Sequence, residues 1–285
     1  MHEFGFHPEI EIPATLKNAA TLEMSHFMVS LILNQRLIGS GTLVCVDDIH
    51  AILSAHHVAE LLDEPDVTHL GINIAAYPHG FFVAVEQLQH VVIGSCAAGA
   101  SEELGPDLSL IRLLSPDSIA TIKSKKSFYR LDNPRRDRFW LELPIAHMPW
   151  YLVGAPAERS SNQGEFGTPG HILTAVHFHA EATFKSRVSR EGFDFVTLQL
   201  IAGEHSYPAD YRGVSGGGVW VLPLTMDPDK GASTLSYDPP TLAGVAFYQT
   251  ELSSGERQII CHGPESVAVR ARDALRGLNH RKGSK

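Results

Sequence analysis

The sequence predicts an all-β chain of barrels or sandwiches, finished by one C-terminal helix. Three observations carry that expectation. Apolar segments are short and separated by turn residues. Several alternate every second residue, as in Phe193-Asp-Phe-Val-Thr-Leu-Gln-Leu. Turn formers are abundant, with 24 glycines and 17 prolines, the punctuation that many short strands need.

Taken in order, strands are expected at 27–33, 37–46, 51–54, 70–75, 81–85, 91–94 and 108–114. A second set falls at 151–154, 172–184, 193–200, 219–222, 242–248 and 258–262. Each is an apolar run bounded by residues that favour turns. Two stretches read as helix. One is a short turn at 56–62. The other is 265–278, where Val267, Ala271, Ala274, Leu275 and Leu278 share one face at helical spacing. Between the two strand sets, 115–148 carries few strand signals and much charge, including Lys123, Lys125, Lys126, Arg130, Arg135, Arg136 and Arg138. It reads as a solvated connector. Phe128 and Tyr129 lie among those cations, the composition of a nucleic-acid patch, but the acidic total favours the connector.

The chain has 285 residues, 44% hydrophobic and 19% charged, which excludes a disordered or fibrous protein. A net charge of −9 argues against nucleic-acid partners. No apolar run approaches the ~20 residues of a membrane span, so no membrane partner is expected. The start, Met1 to Glu9, lacks the basic and apolar regions of a secretory signal. Cys45, Cys96 and Cys261 are too few and scattered for a disulfide framework or zinc cluster. Free buried thiols and a cytoplasmic location are the expectation. His177 and His179 alternate on one strand face, a spacing that suits zinc, but no third ligand accompanies them, and they read as surface or cleft-wall histidines.

Three motifs carry chemistry jointly. Ala51-Ile-Leu-Ser-Ala-His-His-Val delivers His57 where a strand meets a helical turn. Gly105-Pro-Asp-Leu-Ser-Leu-Ile places Asp107 at the mouth of an alternating strand. Gly213-Val-Ser-Gly-Gly-Gly-Val-Trp sets Ser215 in a glycine run before a strand. A serine hydroxyl is a poor nucleophile until an imidazole takes its proton. The imidazole in turn needs a carboxylate that fixes its tautomer and balances its charge. Glycine at 213 lets the N–H groups of Gly213 and Ser215 converge on one oxyanion.

Together these motifs resemble the trypsin/chymotrypsin-like serine peptidases. Leu53-Ser-Ala-His-His-Val is similar to Thr-Ala-Ala-His, Asp107-Leu-Ser-Leu-Ile to Asp-Ile-Ala-Leu, and Gly213-Val-Ser-Gly-Gly to Gly-Asp-Ser-Gly-Gly. The resemblance spans roughly residues 22–278. It implies two six-stranded antiparallel barrels with a catalytic cleft between them. The corresponding organisation is an N-terminal extension (1–21), a first barrel (22–114), a connector (115–148), a second barrel (149–264) and a helical tail (265–285). It implies a His57–Asp107–Ser215 triad, an oxyanion hole of Gly213 and Ser215, and no metal or organic cofactor. Substrate is to be a protein or peptide, held by Phe247 and Tyr248 on the strand 242–248. The pocket acid expected at 209 is alanine, with Asp210 one place later, so a pocket for basic side chains and a neutral or apolar pocket both stay open.

The departures matter equally. In zymogen-activated members an aspartate at the position of Val214 pairs with a freed N-terminal amine and forms the oxyanion hole. Here that hole must form by packing alone or be ordered by an activating protein partner or the substrate. His56 replaces a small residue and is a rival base, although the register favours His57. Two other readings compete. One is a catalytically silent binding module of the same fold. The other is an α/β-hydrolase, whose Gly-x-Ser-x-Gly elbow matches 213–217 literally but demands a helix after the serine, where the sequence reads as strand.

Overall fold

The computed structural model describes residues 12–74, 80–96, 105–133, 148–163, 172–201, 207–225 and 234–280. Arg135, Arg136 and Arg138 of the expected connector lie outside these residues, as does most of the N-terminal extension.

The first half holds β1 (Met28–Leu33), β2 (Arg36–Val46), β3 (Ile49–Ser54), β4 (His69–Asn73), β5 (Gly80–Ala84), β6 (Leu88–Gly94) and β7 (Leu108–Leu113). They hydrogen-bond in the order β5-β4-β1-β2-β3-β7-β6, and β8 (Tyr129–Arg130) adds to β2 in parallel. The two end strands, β5 and β6, are consecutive in sequence with only Val85–Gln87 between them, so the sheet curls until its ends meet at that corner. The expected first barrel of six strands is therefore a curled sheet with an open seam. At the seam, Val85 N–H donates to the Thr68 carbonyl and Gln87 O accepts from Leu114 N–H, so the corner's backbone groups bond outward and form no ladder across it.

The second half runs β9 (Trp150–Gly154), β10 (Ser161–Gln163), β11 (Ile172–Thr174), β12 (Phe178–Arg190), β13 (Phe193–Ile201), β14 (Gly218–Val221), β15 (Leu224–Thr225), β16 (Ser236–Tyr237), β17 (Thr241–Gln249) and β18 (Glu256–His262). Six of these close a barrel in the order β12-β13-β18-β17-β14-β9. Tight hairpins fix the register. Glu191 and Gly192 (φ +52° and +74°) turn β12 into β13, and Ser254 and Gly255 (φ +53° and +77°) turn β17 toward β18. Two left-handed residues in succession match the twist of the strands they join.

The strand expected at 172–184 is instead two. It breaks at Ala175–His177 and then runs on to Arg190, because residues 185–189 are exposed and carry no apolar alternation to read. Two helices were not legible either. α1 (Ala14–Ser25) buries only Ala20 and Met24, too thin a stripe to pattern the sequence. α3 (Pro116–Lys123) lies inside the expected connector. Its Ser115 Oγ accepts from Ser118 N–H and Pro116 opens its first turn, a start signal the sequence does carry. The connector's aromatics are partly buried and pack against the core: Tyr129 lies edge-on to Phe27 and Trp220.

One core fills the curled sheet, including Leu31, Ile52, Ile72 and Ile111. A second fills the closed barrel, including Trp150, Leu198 and Val219. A third lies between them, where Val44, Leu53 and Leu108 meet Val153, Trp220 and Val245 under α1 and the C-terminal helix. That helix begins with a π-helical turn, Ser266–Ala271, and continues as α4 (Arg272–His280). Among the described residues no helix is long and apolar enough to cross a membrane. No disulfide joins the cysteines; Cys45 and Cys261 are buried as expected, whereas Cys96 is partly exposed.

Candidate active site

β3 ends at Ser54, and after Ala55 the chain enters the short helix α2 (His56–Ala59). The first N–H groups of a helix have no partner within it, and Ala55 has no side chain to cap them. Asp107, just before β7, does so from across the sheet. Its Oδ1 accepts the His57 backbone N–H at 2.9 Å, and its Oδ2 lies 2.5 Å from His57 Nδ1. One carboxylate thus fixes both the helix start and the ring. Burial pushes the Asp107 pKa up, but the hydrogen bonds and charge of His57 outweigh it and hold the group below the usual carboxylate range.

Asp107 is itself held from behind. Its backbone N–H donates to Nε2 of His262, at the end of β18, at 2.9 Å. His262 is fully buried among Phe193, Phe195 and Phe247. Burial lowers its pKa to about 4, so it accepts as a neutral ring.

His56 faces elsewhere. Its Nδ1 is 3.0 Å from Ser109 Oγ, its Nε2 lies 3.6 Å from Glu60, and its ring stacks on His90. His90 in turn bonds Ser109 and Asp63. The geometry therefore brings His57, not its neighbour, to Asp107.

Ser215 follows Gly213, whose φ of +89° is a conformation that a side chain disfavours. The next turn requires Gly216 as well: at φ +87°, an added Cβ would stand 2.0 Å from the Ser40 carbonyl. Ser215 Oγ lies 3.4 Å from the Phe247 carbonyl. His57, Asp107 and Ser215 all line one cavity of about 590 Å³, together with Phe247 and Tyr248. Asp210 does not line it. Its Oδ1 accepts from Arg212 N–H and from Gln249 Nε2 at 2.7 Å, and its Oδ2 pairs with the Arg212 guanidinium.

His177 and His179 are largely buried, and their Nε2 atoms have no hydrogen-bond partner among the described residues. Burial, then the nearby Lys126 cation, pushes their pKa values down to about 3 and about 4. A cation beside both rings is a poor setting for a metal. Because the unfolded rings take up protons below about 6.5 and the folded ones do not, unfolding gains protons as the solution is acidified. Stability is expected to fall from pH 6.5 toward 4, by up to about 1.4 kcal/mol per pH unit for each histidine. Urea midpoints at pH 7 and 4.5 check this, and the double variant His177→Gln/His179→Gln should show the shallower fall; parallel losses would remove the assignment.

No family model matches the chain, and no curated protein matches it. One similar solved structure comes from "Aromatic interactions drive the coupled folding and binding of the intrinsically disordered Sesbania mosaic virus VPg protein". It is 14% identical at a TM-score of 0.42, over 86% of this chain and 88% of that one. Another, "HtrA-type protease AlgW with tripeptide", is 13% identical at a TM-score of 0.46 over 91% of this chain. This chain spans 64% of the second structure's length. At such values neither likeness bears on activity.

His57, Asp107 and Ser215, singled out from three separate motifs, all line the same cavity. Sequence reading missed His262, Ser109, Ser40 and Ser54. For His262 a signal existed, a polar residue closing the apolar run Ile259-Ile260-Cys261; the serines carried none.

Proposed function

We propose that this chain is a serine endopeptidase of the trypsin/chymotrypsin-like type, its two β units serving as the paired barrels of that fold. Ser215 attacks the scissile carbonyl while His57 takes its proton and later returns it to the leaving amine. Asp107 holds His57 with its proton on Nδ1, which makes Nε2 the nitrogen that acts as base. The Gly213 and Ser215 N–H groups bind the oxyanion. No step calls for a metal or organic cofactor. The observation that carries this reading is the 2.5 Å contact between His57 Nδ1 and Asp107, in a cavity that Ser215 also lines.

The test is reaction with a fluorophosphonate. Mass spectrometry is expected to locate the adduct on Ser215 and to find none in Ser215→Ala, with peptide hydrolysis lost in parallel. Undiminished hydrolysis by the alanine variant would sink the proposal, and a folded chain that neither reacts nor cleaves would be the silent binding module.

The substrate class follows from the lining beside Ser215. Val214, Ala246, Phe247 and Ile259 are among the cavity's lining residues. Of the acids that also line it, Asp107 is bound to His57 and Glu60 stands beside His56, while Asp210 lies outside the lining and is committed to Arg212 and Gln249. An uncharged, apolar side chain fits the apolar part of this lining better than a cation does. Phe247 and Tyr248 offer the strand edge for the substrate backbone. A peptide-library digest is expected to show cleavage after apolar residues, and cleavage mainly after Lys or Arg would contradict it.

A further inference from the structure

Val214, where zymogen-activated members of the resembled family carry an aspartate, is buried and packs against Gly154. It makes no ion pair, so something else must set the loop that carries Gly213 and Ser215. Ser40, fully buried in β2, has every polar group committed, two of them to that loop. Its N–H donates to the Ser215 carbonyl at 2.8 Å. Its hydroxyl donates to the Gly213 carbonyl at 2.8 Å and accepts the Ala155 N–H at 2.9 Å. Its carbonyl accepts the hydroxyl of Ser54, the last residue of β3 before the histidine turn, at 2.8 Å. One residue of the curled sheet thereby joins the serine loop, the end of β9 and the strand that delivers His57.

The neighbouring peptides are fixed in the same way. The Arg212 carbonyl accepts the Ala157 N–H at 2.7 Å, and the Val214 carbonyl accepts the Gly217 N–H at 2.7 Å. In a trans peptide the N–H points opposite to the preceding carbonyl. Tying back the carbonyls of 212 and 214 therefore aims the N–H groups of Gly213 and Ser215 the other way, and the Ser40 bonds hold the residues between.

We propose that Ser40 is a positioning residue that holds the oxyanion loop in working geometry, so that the site is complete in the chain by itself, with no freed amine and no protein partner. This rests on the peptidase reading above. A pre-set hole needs no reorganisation during the reaction, and four backbone carbonyls anchored by groups of the same chain leave an activator nothing to order.

The test uses the purified full chain and a fluorophosphonate, whose phosphoryl oxygen must enter the same hole. Wild type is expected to react alone. Ser40→Ala, which frees the Gly213 carbonyl, is expected to lose about tenfold or more in the maximal labelling rate, below the ~10²–10³-fold of losing a whole oxyanion donor, with its half-saturation changed less than about threefold. A structural lesion would instead weaken both, or lower the melting temperature before any rate. If Ser40→Ala does not fold, Ala157→Pro decides. Ala157 is exposed, and Pro156 already has the extended backbone (ψ 132°) that a following proline requires, so the variant removes one N–H and frees the Arg212 carbonyl. A labelling rate within threefold of wild type in a folded Ser40→Ala, or in a folded Ala157→Pro, overturns the assignment. Wild type that reacts only after a source-cell lysate is added overturns self-sufficiency while leaving the peptidase reading standing. Wild type that reacts under neither condition removes that reading itself.

Discussion

Replacing Asp107 by asparagine is expected to lower kcat about 10⁴-fold with the fold intact. The geometry says which way the amide must turn. Oδ1 of Asp107 accepts a backbone N–H of His57 and Oδ2 meets its ring Nδ1. The backbone group can only donate, so the asparagine oxygen must stay on that side. Its NH₂ then faces Nδ1 and forces that nitrogen to accept. The ring proton moves to Nε2, the atom that has to receive the Ser215 proton. The loss is therefore one of tautomer and not of position, and it appears in kcat more than in KM. Asp107 is held below the ordinary carboxylate range, so in the wild type the acid meets the His57 ring as a carboxylate at neutral pH. Steady-state kinetics with ¹⁵N resonances of the His57 ring check both halves, and a variant within tenfold of wild type would refute the role.

The second large effect falls on stability. Asp194 has no exposed surface. Its carboxylate accepts from Arg187 Nε at 3.0 Å, from the Ser266 N–H at 2.7 Å and hydroxyl at 2.8 Å, and from the Glu265 N–H at 3.2 Å. It is at once the buried ion-pair partner of β12 and the cap of the C-terminal helix. Asp194→Ala removes the closer of the two carboxylates beside Arg187 and leaves the buried Ser266 N–H and hydroxyl without their acceptor, and is expected to cost about 3–5 kcal/mol. Arg187→Ala should cost less, since that side chain is one-third exposed and its loss leaves the carboxylate three other donors. Urea denaturation measures both, and a change under about 1 kcal/mol in Asp194→Ala would contradict the assignment.

What could be read in advance and what could not divide along a physical line. His57, Asp107 and Ser215 sit in local patterns, each where a strand meets a turn, and strand alternation is a property of neighbours in sequence. Ser40 and Ser54 lie in strands that look apolar and ordinary; their meaning comes from residues 173 and 14 positions away. His262 reaches Asp107 across 155 positions. The open seam at Val85–Gln87 was equally hidden, because whether two strands pair across a corner depends on where three carbonyls and amides point. α3 differs again: Ser115-Pro116 is a local start signal, but the charge around it masked the helix and the segment read as a plain linker.

The third core, shared by the curled sheet and the closed barrel, has a thermal consequence. Neither half keeps its inner surface dry without the other, and the cleft exists only along their junction. Melting either half is therefore expected to uncover the shared core and open the cleft, even where the other half keeps its own core.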